Sequence, residues 1–260
     1  MTFTRITYAP ADRRAVITLD RPDKRNALDE AMVEDLTRAF ILAGRDPVVK
    51  VVLLYGSGPA FCAGADLDYL AHVSQFDLEE NRKDSARLAN LFRLMYELRK
   101  PIIAVVDGPA LGGGAGLASV CDFVIASKEK AQFGYPEVRI GFIPAVVLVF
   151  LVKRVGEGRA RELVLRGGTV DAQEAQRLGL ASIVVPSESL AATADALVRE
   201  LLQSNSGNAM GLCKEMLSKL HGMNLLDALD FAANLNAAAR MTVECRNGIG
   251  AFLRKEKMEW

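Results

Sequence analysis

Two glycine-rich loops and one glutamate are the residues of this chain best suited to chemistry. Leu111-Gly112-Gly113-Gly114-Ala115-Gly116-Leu117 follows the apolar run Ile102 to Val106. A buried strand that turns through glycines into a helix running to Cys121 would aim free N–H groups and a positive dipole end at its surroundings. That arrangement suits negative charge. The loop from Gly56 to Asp66 repeats the logic after the apolar run Lys50 to Tyr55, with a helix expected to begin near Asp66. Pro136-Glu137 adds a carboxylate that can exchange protons if its pKa approaches neutrality. Each feature also has a plainer reading. The glycines would permit tight helix–strand packing, Asp66 would serve as an N-cap, and Glu137 would be a first-turn glutamate behind an N1 proline.

A nucleotide-phosphate cradle is excluded by spacing. The G-x-G-x-x-G pattern fails at Leu117 in one register and at Ser119 in the other, and no Gly-Lys-Ser/Thr follows. Lysine plus arginine equals aspartate plus glutamate, 32 each, so bulk charge draws the chain to neither nucleic acid nor an anionic membrane. Cys62, Cys121, Cys213 and Cys245 are far apart and form no C-x-x-C pair. Free thiols in a reducing compartment are therefore expected, with no structural metal. The N-terminus has no signal-peptide apolar region, and the longest apolar run, Phe142 to Val152, is interrupted by Pro144 and falls short of the roughly 20 residues of a spanning helix. The composition reads as a cytoplasmic-type globular protein.

The elements that must position these residues follow from periodicity. Thr4 to Tyr8 and Arg14 to Asp20 read as a strand pair about Pro10-Ala11-Asp12, and Asp29 caps a helix with Met32, Leu36, Ala39 and Phe40 on one face. Leu78 to Leu98 suits a long helix ended by Lys100-Pro101. Strands alternating with helices imply α/β architecture with right-handed crossovers. From about Arg159 the pattern is mainly helical, with segments over 187–203, 207–220, 224–242 and 245–255. The chain is divided into an α/β core over 1–200 and a C-terminal helical region over 201–260.

Taken together, the motifs resemble the crotonase, or enoyl-CoA hydratase/isomerase, superfamily. The resemblance begins at Thr18-Leu19-Asp20-Arg21-Pro22-Asp23-Lys24-Arg25-Asn26-Ala27-Leu28 and runs through both loops. It continues through Cys121-Asp122, Ala131 to Gly141, Leu165 with Gly167, Ala172 to Ala175 with Gly179-Leu180, and Gly250 to Leu253. It implies a ββα spiral core, an acyl-CoA thioester substrate whose coenzyme A is part of the substrate, no metal or other cofactor, and homotrimers or dimers of trimers. The backbone N–H groups of Ala63 and Gly113 would bind the thioester oxygen and stabilise an enolate, and Glu137 would be the acid/base. Lys24, Asn26, Ala27, Leu28, Ala65, Asp66, Leu67, Gly112 and Pro136 would contact the substrate and its coenzyme A arm. Phe252 and Lys255 would help from a neighbouring subunit and form part of a trimerisation or lid region.

The sequence departs from the family pattern at Gly116, where hydratases of the family carry a second glutamate. One carboxylate suffices to move a proton from C2 to C4 of a 3-enoyl thioester, whereas hydration must also position and deprotonate water. Isomerisation and hydration both stay open, as does an acyl-CoA-binding pseudoenzyme or scaffold without turnover. Tyr135, Asp68 and Tyr69 are polar residues near the motifs that read as structural or surface positions. A second departure is the apolar stretch after Ile143-Pro144, which reads either as a buried helix or as an apolar wall around the acyl chain.

Overall fold

The computed structural model describes residues 2–258 and 260. Strands β1 (Ile6–Ala11) and β2 (Arg14–Leu19) pair antiparallel, with Ile6 opposite Leu19. Asp12 and Arg13 turn between them at φ 51° and 63°. Such a left-handed two-residue turn matches the twist of the flanking strands. The turn thus lies later than Pro10-Ala11-Asp12, and Pro10 is carried within β1 because that strand is at the sheet edge.

Helix α1 (Glu30–Arg45) starts where Asp29 accepts the Met32 N–H at 2.8 Å, and buries Met32, Leu36, Ala39 and Phe40. The chain then runs through β3 (Val51–Gly56), α2 (Leu67–Val73), α3 (Leu78–Glu97), β4 (Ile102–Val106), β5 (Pro109–Leu111) and α4 (Gly113–Val120). Next come β6 (Phe123–Ser127), β7 (Gln132–Gly134), α5 (Ala145–Val155), α6 (Glu157–Arg166), β8 (Thr169–Asp171), α7 (Ala172–Leu178) and β9 (Ile183–Val185). Four helices close the chain: α8 (Leu190–Ser204), α9 (Gly207–Leu220), α10 (Leu225–Arg240) and α11 (Val243–Arg254).

The main sheet has the order β1-β2-β3-β4-β6-β9 and is parallel from β2 onward. Val52, Leu54, Ala104 and Val106 face one core, shared with α1, α3, α4 and α5. Val51, Leu53, Ile103 and Val105 face the other, covered by Leu190, Ala194, Val198 and Leu201 of α8. Burial on both faces explains why β3 and β4 are continuous apolar runs. Burying Leu190, Val198 and Leu201 contributes roughly 1.5–3 kcal/mol each before ordering entropy is counted, and the Ala194 methyl less. Position 200/201 lies inside α8, so the core extends through that helix and the outlying helices are α9, α10 and α11. Among the described residues no helix is long and apolar enough to cross a membrane.

A second sheet of order β5-β7-β8 was not foreseen from sequence, because its strands are only three residues long. It matters for the site. The parallel register sets Leu111 opposite Gly134, which brings Gly112 beside Pro136 and Glu137.

Candidate active site

Three chain segments are laced together at one end of the sheet. Cys62 N–H donates to the Pro109 carbonyl (3.1 Å) and Leu111 N–H to the Cys62 carbonyl (3.0 Å). On the other side, Leu28 N–H donates to the Gly64 carbonyl (2.7 Å) and Asp66 N–H to the Leu28 carbonyl (2.9 Å). The approach is so close that a Cβ on Gly114 would stand 2.1 Å from the Cys62 carbonyl oxygen. Only glycine fits there. Burial pushes the Cys62 thiol up to about 12, which leaves it protonated and a packing group.

This lacing decides which N–H groups are free. Ala63 N–H donates to the Arg25 carbonyl at 3.0 Å, so the expected role of Ala63 as an oxyanion donor is corrected: its hydrogen is already used. Ala65 occupies the bridge opposite Leu28, where its neighbours Gly64 and Asp66 make the bonds to Leu28 and its own N–H turns away from that partner. Among the described residues neither Ala65 N–H nor Gly113 N–H has an acceptor. Gly113 opens α4, so its N–H is an unpaired donor of a helix start. The family resemblance places that donor role on Ala63 and only a substrate contact on Ala65; the Arg25 carbonyl, remote in sequence, is what distinguishes the two alanines.

Glu137 lies in a short 3-10 turn (Pro136–Ile140) that begins with Pro136. Its carboxylate rests on the glycine loop: a Cβ on Gly112 would lie 2.7 Å from Oε1. Oε2 is buried with no hydrogen-bond partner among the described residues. Desolvation raises the Glu137 pKa above the ordinary carboxylate value, opposed by a hydrogen bond from its own backbone N–H. A buried carboxylate oxygen without a partner, with its pKa moved toward neutrality, fits a group that exchanges protons.

One cavity of about 430 Å³ collects Leu28, Ala63, Ala65, Leu67, Gly112, Gly113, Pro136 and Glu137. Of the other residues expected from sequence, Asn26 has no exposed surface and is corrected from a contact to a positioning role. Its side-chain oxygen accepts the Arg21 N–H (2.8 Å), and its amide donates to the Ser57 (2.8 Å), Ala60 (2.9 Å) and Phe61 (3.2 Å) carbonyls. Asp66 caps α2 through the Asp68 and Tyr69 N–H groups and pairs with Arg21 at 2.6 Å, which holds its pKa low against the opposing effect of desolvation. Lys24 pairs with Asp68 at 2.8 Å on the surface. Lys24, Ala27 and Asp66 do not line the cavity, and Phe252 and Lys255 of α11 and its C-cap lie away from it in their own chain.

The question raised by Gly116 has a steric answer. A Cβ at that position would lie 2.2 Å from Val147 Cγ1, 2.7 Å from Val147 Cβ and 2.9 Å from Phe92 Cε1. Val147 of α5 and Phe92 of α3 thus fill the space into which a side chain at 116 would grow. The apolar stretch after Pro144 is an amphipathic helix rather than a wholly buried one: Val147, Leu151 and Val155 are buried, Val149 is 55% exposed, and Pro144 to Val147 form cavity wall. Tyr135, fully buried and 2.9 Å from the Ser119 hydroxyl, is structural; desolvation drives its pKa far up. Sequence reading missed Phe92, which packs beside position 116, and the polar residues Glu30, Asp84 and Arg87 that border the cavity. Helical periodicity marks none of them as functional.

A cavity with two free N–H donors and one unpaired carboxylate has the groups that proton exchange beside a developing negative charge would use. The chain belongs to the enoyl-CoA hydratase/isomerase family, whose pattern it matches over residues 13–260, and its mixed α/β fold is that of the crotonase superfamily. It is 43% identical to a putative enoyl-CoA hydratase of Thermus thermophilus, with 93% of this chain and 94% of that protein aligned. It is 30% identical to an enoyl-CoA isomerase/hydratase of Mycosarcoma maydis, over 99% and 98% of the two chains. An enoyl-CoA hydratase structure from Shewanella pealeana superposes with a TM-score of 0.93 at 32% identity, covering 99% of this chain and 96% of the other.

Proposed function

We propose that this enzyme shifts the double bond of 3-enoyl-CoA thioesters into conjugation, with Glu137 as its sole acid/base. The Glu137 carboxylate removes a proton from C2, and the C–H electron pair forms the enolate whose charge settles on the thioester oxygen. The N–H groups of Ala65 and Gly113 hold that oxygen. Glu137, now protonated, returns the proton to C4, and the double bond moves from C3–C4 to C2–C3. The step is redox-neutral and balances without another reactant.

The reading rests above all on position 116, where Val147 and Phe92 take the space of a second side chain. Each of the other carboxylates bordering the cavity is held by a cation or an N–H or O–H donor through at least one oxygen. Asp29 caps α1 and pairs with Arg5 (3.1 Å) and Arg21 (3.2 Å), Glu30 pairs with Arg87 (2.9 Å), and Asp84 bonds Tyr69 and Arg87. Among the described carboxylates that border the cavity, only Glu137 has a buried oxygen to spare. With one carboxylate, a proton shuttle between two carbons is simpler than activating water on one side and protonating carbon on the other.

Purified protein given 3-enoyl-CoA and trans-2-enoyl-CoA separates the readings. Formation of conjugated thioester from the first, with slow hydration of the second, supports isomerisation. Faster hydration than isomerisation would refute it, and acyl-CoA binding without turnover of either would leave a binding protein. We further infer that α10 and α11 mediate assembly into trimers. Leu225, Leu226, Leu229, Val243, Phe252 and Leu253 are all more than half exposed on these helices, and clustered exposed apolar side chains mark interaction surfaces. Phe252 and Lys255 would then approach a neighbour's coenzyme A arm. Light scattering on the purified protein tests this; a monomer at working concentration would overturn it.

A further inference from the structure

The acyl cavity is not apolar throughout. Most of its wall is hydrocarbon, from Leu28, Val33, Leu70, Leu88, Val146 and Val147, yet Glu30, Tyr69, Asp84 and Arg87 meet on another part of the same wall. They come from α1, α2 and α3. Tyr69 OH donates to Asp84 Oδ1, and Arg87 Nη2 reaches both Glu30 Oε1 (2.9 Å) and Asp84 Oδ1 (3.3 Å). Asp84 Oδ2, Glu30 Oε2, and Arg87 Nε and Nη1 have no protein partner among the described residues.

From this geometry, and resting on the acyl-CoA reading above, we propose that the Tyr69–Asp84–Arg87–Glu30 cluster binds a hydroxyl group carried on the acyl chain. The unused atoms include both carboxylate acceptors and guanidinium donors. A hydroxyl is a neutral group that satisfies both at once, donating its hydrogen to Asp84 or Glu30 and accepting from Arg87. Two carboxylates outnumber one guanidinium, so a substrate carboxylate would meet net negative charge. A plain alkyl chain would strip water from these groups and return no hydrogen bond, which is how a polar site rejects an apolar analogue. Tyr69 supports the arrangement. Burial, with the neighbouring Asp84, raises its phenol to about 12, so it remains an O–H donor that orients Asp84 across the physiological range.

The test compares affinities, so that it does not depend on turnover. Saturated acyl-CoA thioesters have no double bond to move; a series of chain lengths is titrated calorimetrically, each with and without a terminal hydroxyl. The wild-type protein should bind the hydroxylated member of at least one length about 10- to 100-fold more tightly than its plain counterpart, the range for a hydrogen bond to charged partners. Asp84→Ala and Arg87→Met should each bring that ratio to near one. Tyr69→Phe, which keeps the ring and loses only the orienting O–H, should reduce it in part. Equal affinity for both partners at every chain length would overturn the proposal. So would a preference that persists in Asp84→Ala and Arg87→Met. Should the protein bind these ligands with the expected preference yet turn over no enoyl-CoA, the isomerase reading fails and the hydroxyl site stands.

Discussion

Gly116 and Val147 should behave as one coupled position. Gly116 lies in the interior of α4, where replacing glycine by alanine ordinarily gains about 0.5–1 kcal/mol from helix propensity. Here the new Cβ would sit 2.2 Å from Val147 Cγ1 and 2.9 Å from Phe92 Cε1, against a normal carbon–carbon contact of about 3.5–4.0 Å. Neither neighbour can yield freely, because Phe92 is fully buried and Val147 nearly so. Overpacking of this kind costs about 1–3 kcal/mol, which outweighs the propensity gain. Gly116→Ala should therefore destabilise the protein by about 1–2 kcal/mol net. Val147→Ala removes the worst clash but leaves its own Cβ 2.7 Å away, so relief should be partial. In a double-mutant cycle followed by thermal unfolding, the pair should cost about 1 kcal/mol less than the sum of the single changes. Gly116→Glu should be poorly tolerated alone and better tolerated with Val147→Gly, and only that double variant should gain hydration of trans-2-enoyl-CoA. Additive costs, or a stabilising Gly116→Ala, would refute the packing argument and reopen room for a second group beside Glu137.

Glu137→Gln should lower the isomerisation rate about 10²- to 10⁴-fold, the usual contribution of a positioned acid/base, with acyl-CoA affinity nearly unchanged; kcat and KM from a conjugation assay check this. The same variant has a pH signature. Because the folded-state pKa of Glu137 is raised, the native protein holds its proton to higher pH than the unfolded chain, so stability falls as pH climbs from the ordinary carboxylate value through the raised one. Glu137→Gln should consequently be more thermostable than wild type at neutral pH and lose that advantage below the ordinary carboxylate range, as read by Tm against pH. Gly113→Pro removes a free donor at a helix position that tolerates proline, while Gly113→Ala keeps the N–H and asks only the Leu28 side-chain tip to move. The proline variant should be about 10²- to 10³-fold slower in kcat than the alanine variant. Asn26→Ala deletes four hydrogen bonds, two of them fully buried, and should destabilise by about 3 kcal/mol while leaving the chemistry of any folded fraction intact, measured by denaturant midpoint and by rate per folded molecule.

Much of the architecture was legible because it is written in local pattern. The caps at Asp29 and Asp66, the apolar runs of β3 and β4, the α1 face of Met32, Leu36, Ala39 and Phe40, and the proline before Glu137 each follow from interactions within a few residues. The motif order alone pointed to the family. Two kinds of fact were not local. Which alanine of Ala63-Gly64-Ala65 keeps a free N–H depends on the Arg25 carbonyl, dozens of residues away, and on the bridge between Ala65 and Leu28. What occupies the space beside Gly116 depends on the packing of α4 against α3 and α5, since a missing side chain in the sequence says nothing of the neighbour that fills its volume. The sequence by itself determined the donor-rich glycine loops and the single glutamate. Tertiary packing decided that Ala65 rather than Ala63 keeps a free N–H, and that Val147 and Phe92 fill the space beside Gly116, because hydrogen-bond saturation and excluded volume are properties of contacts between distant segments.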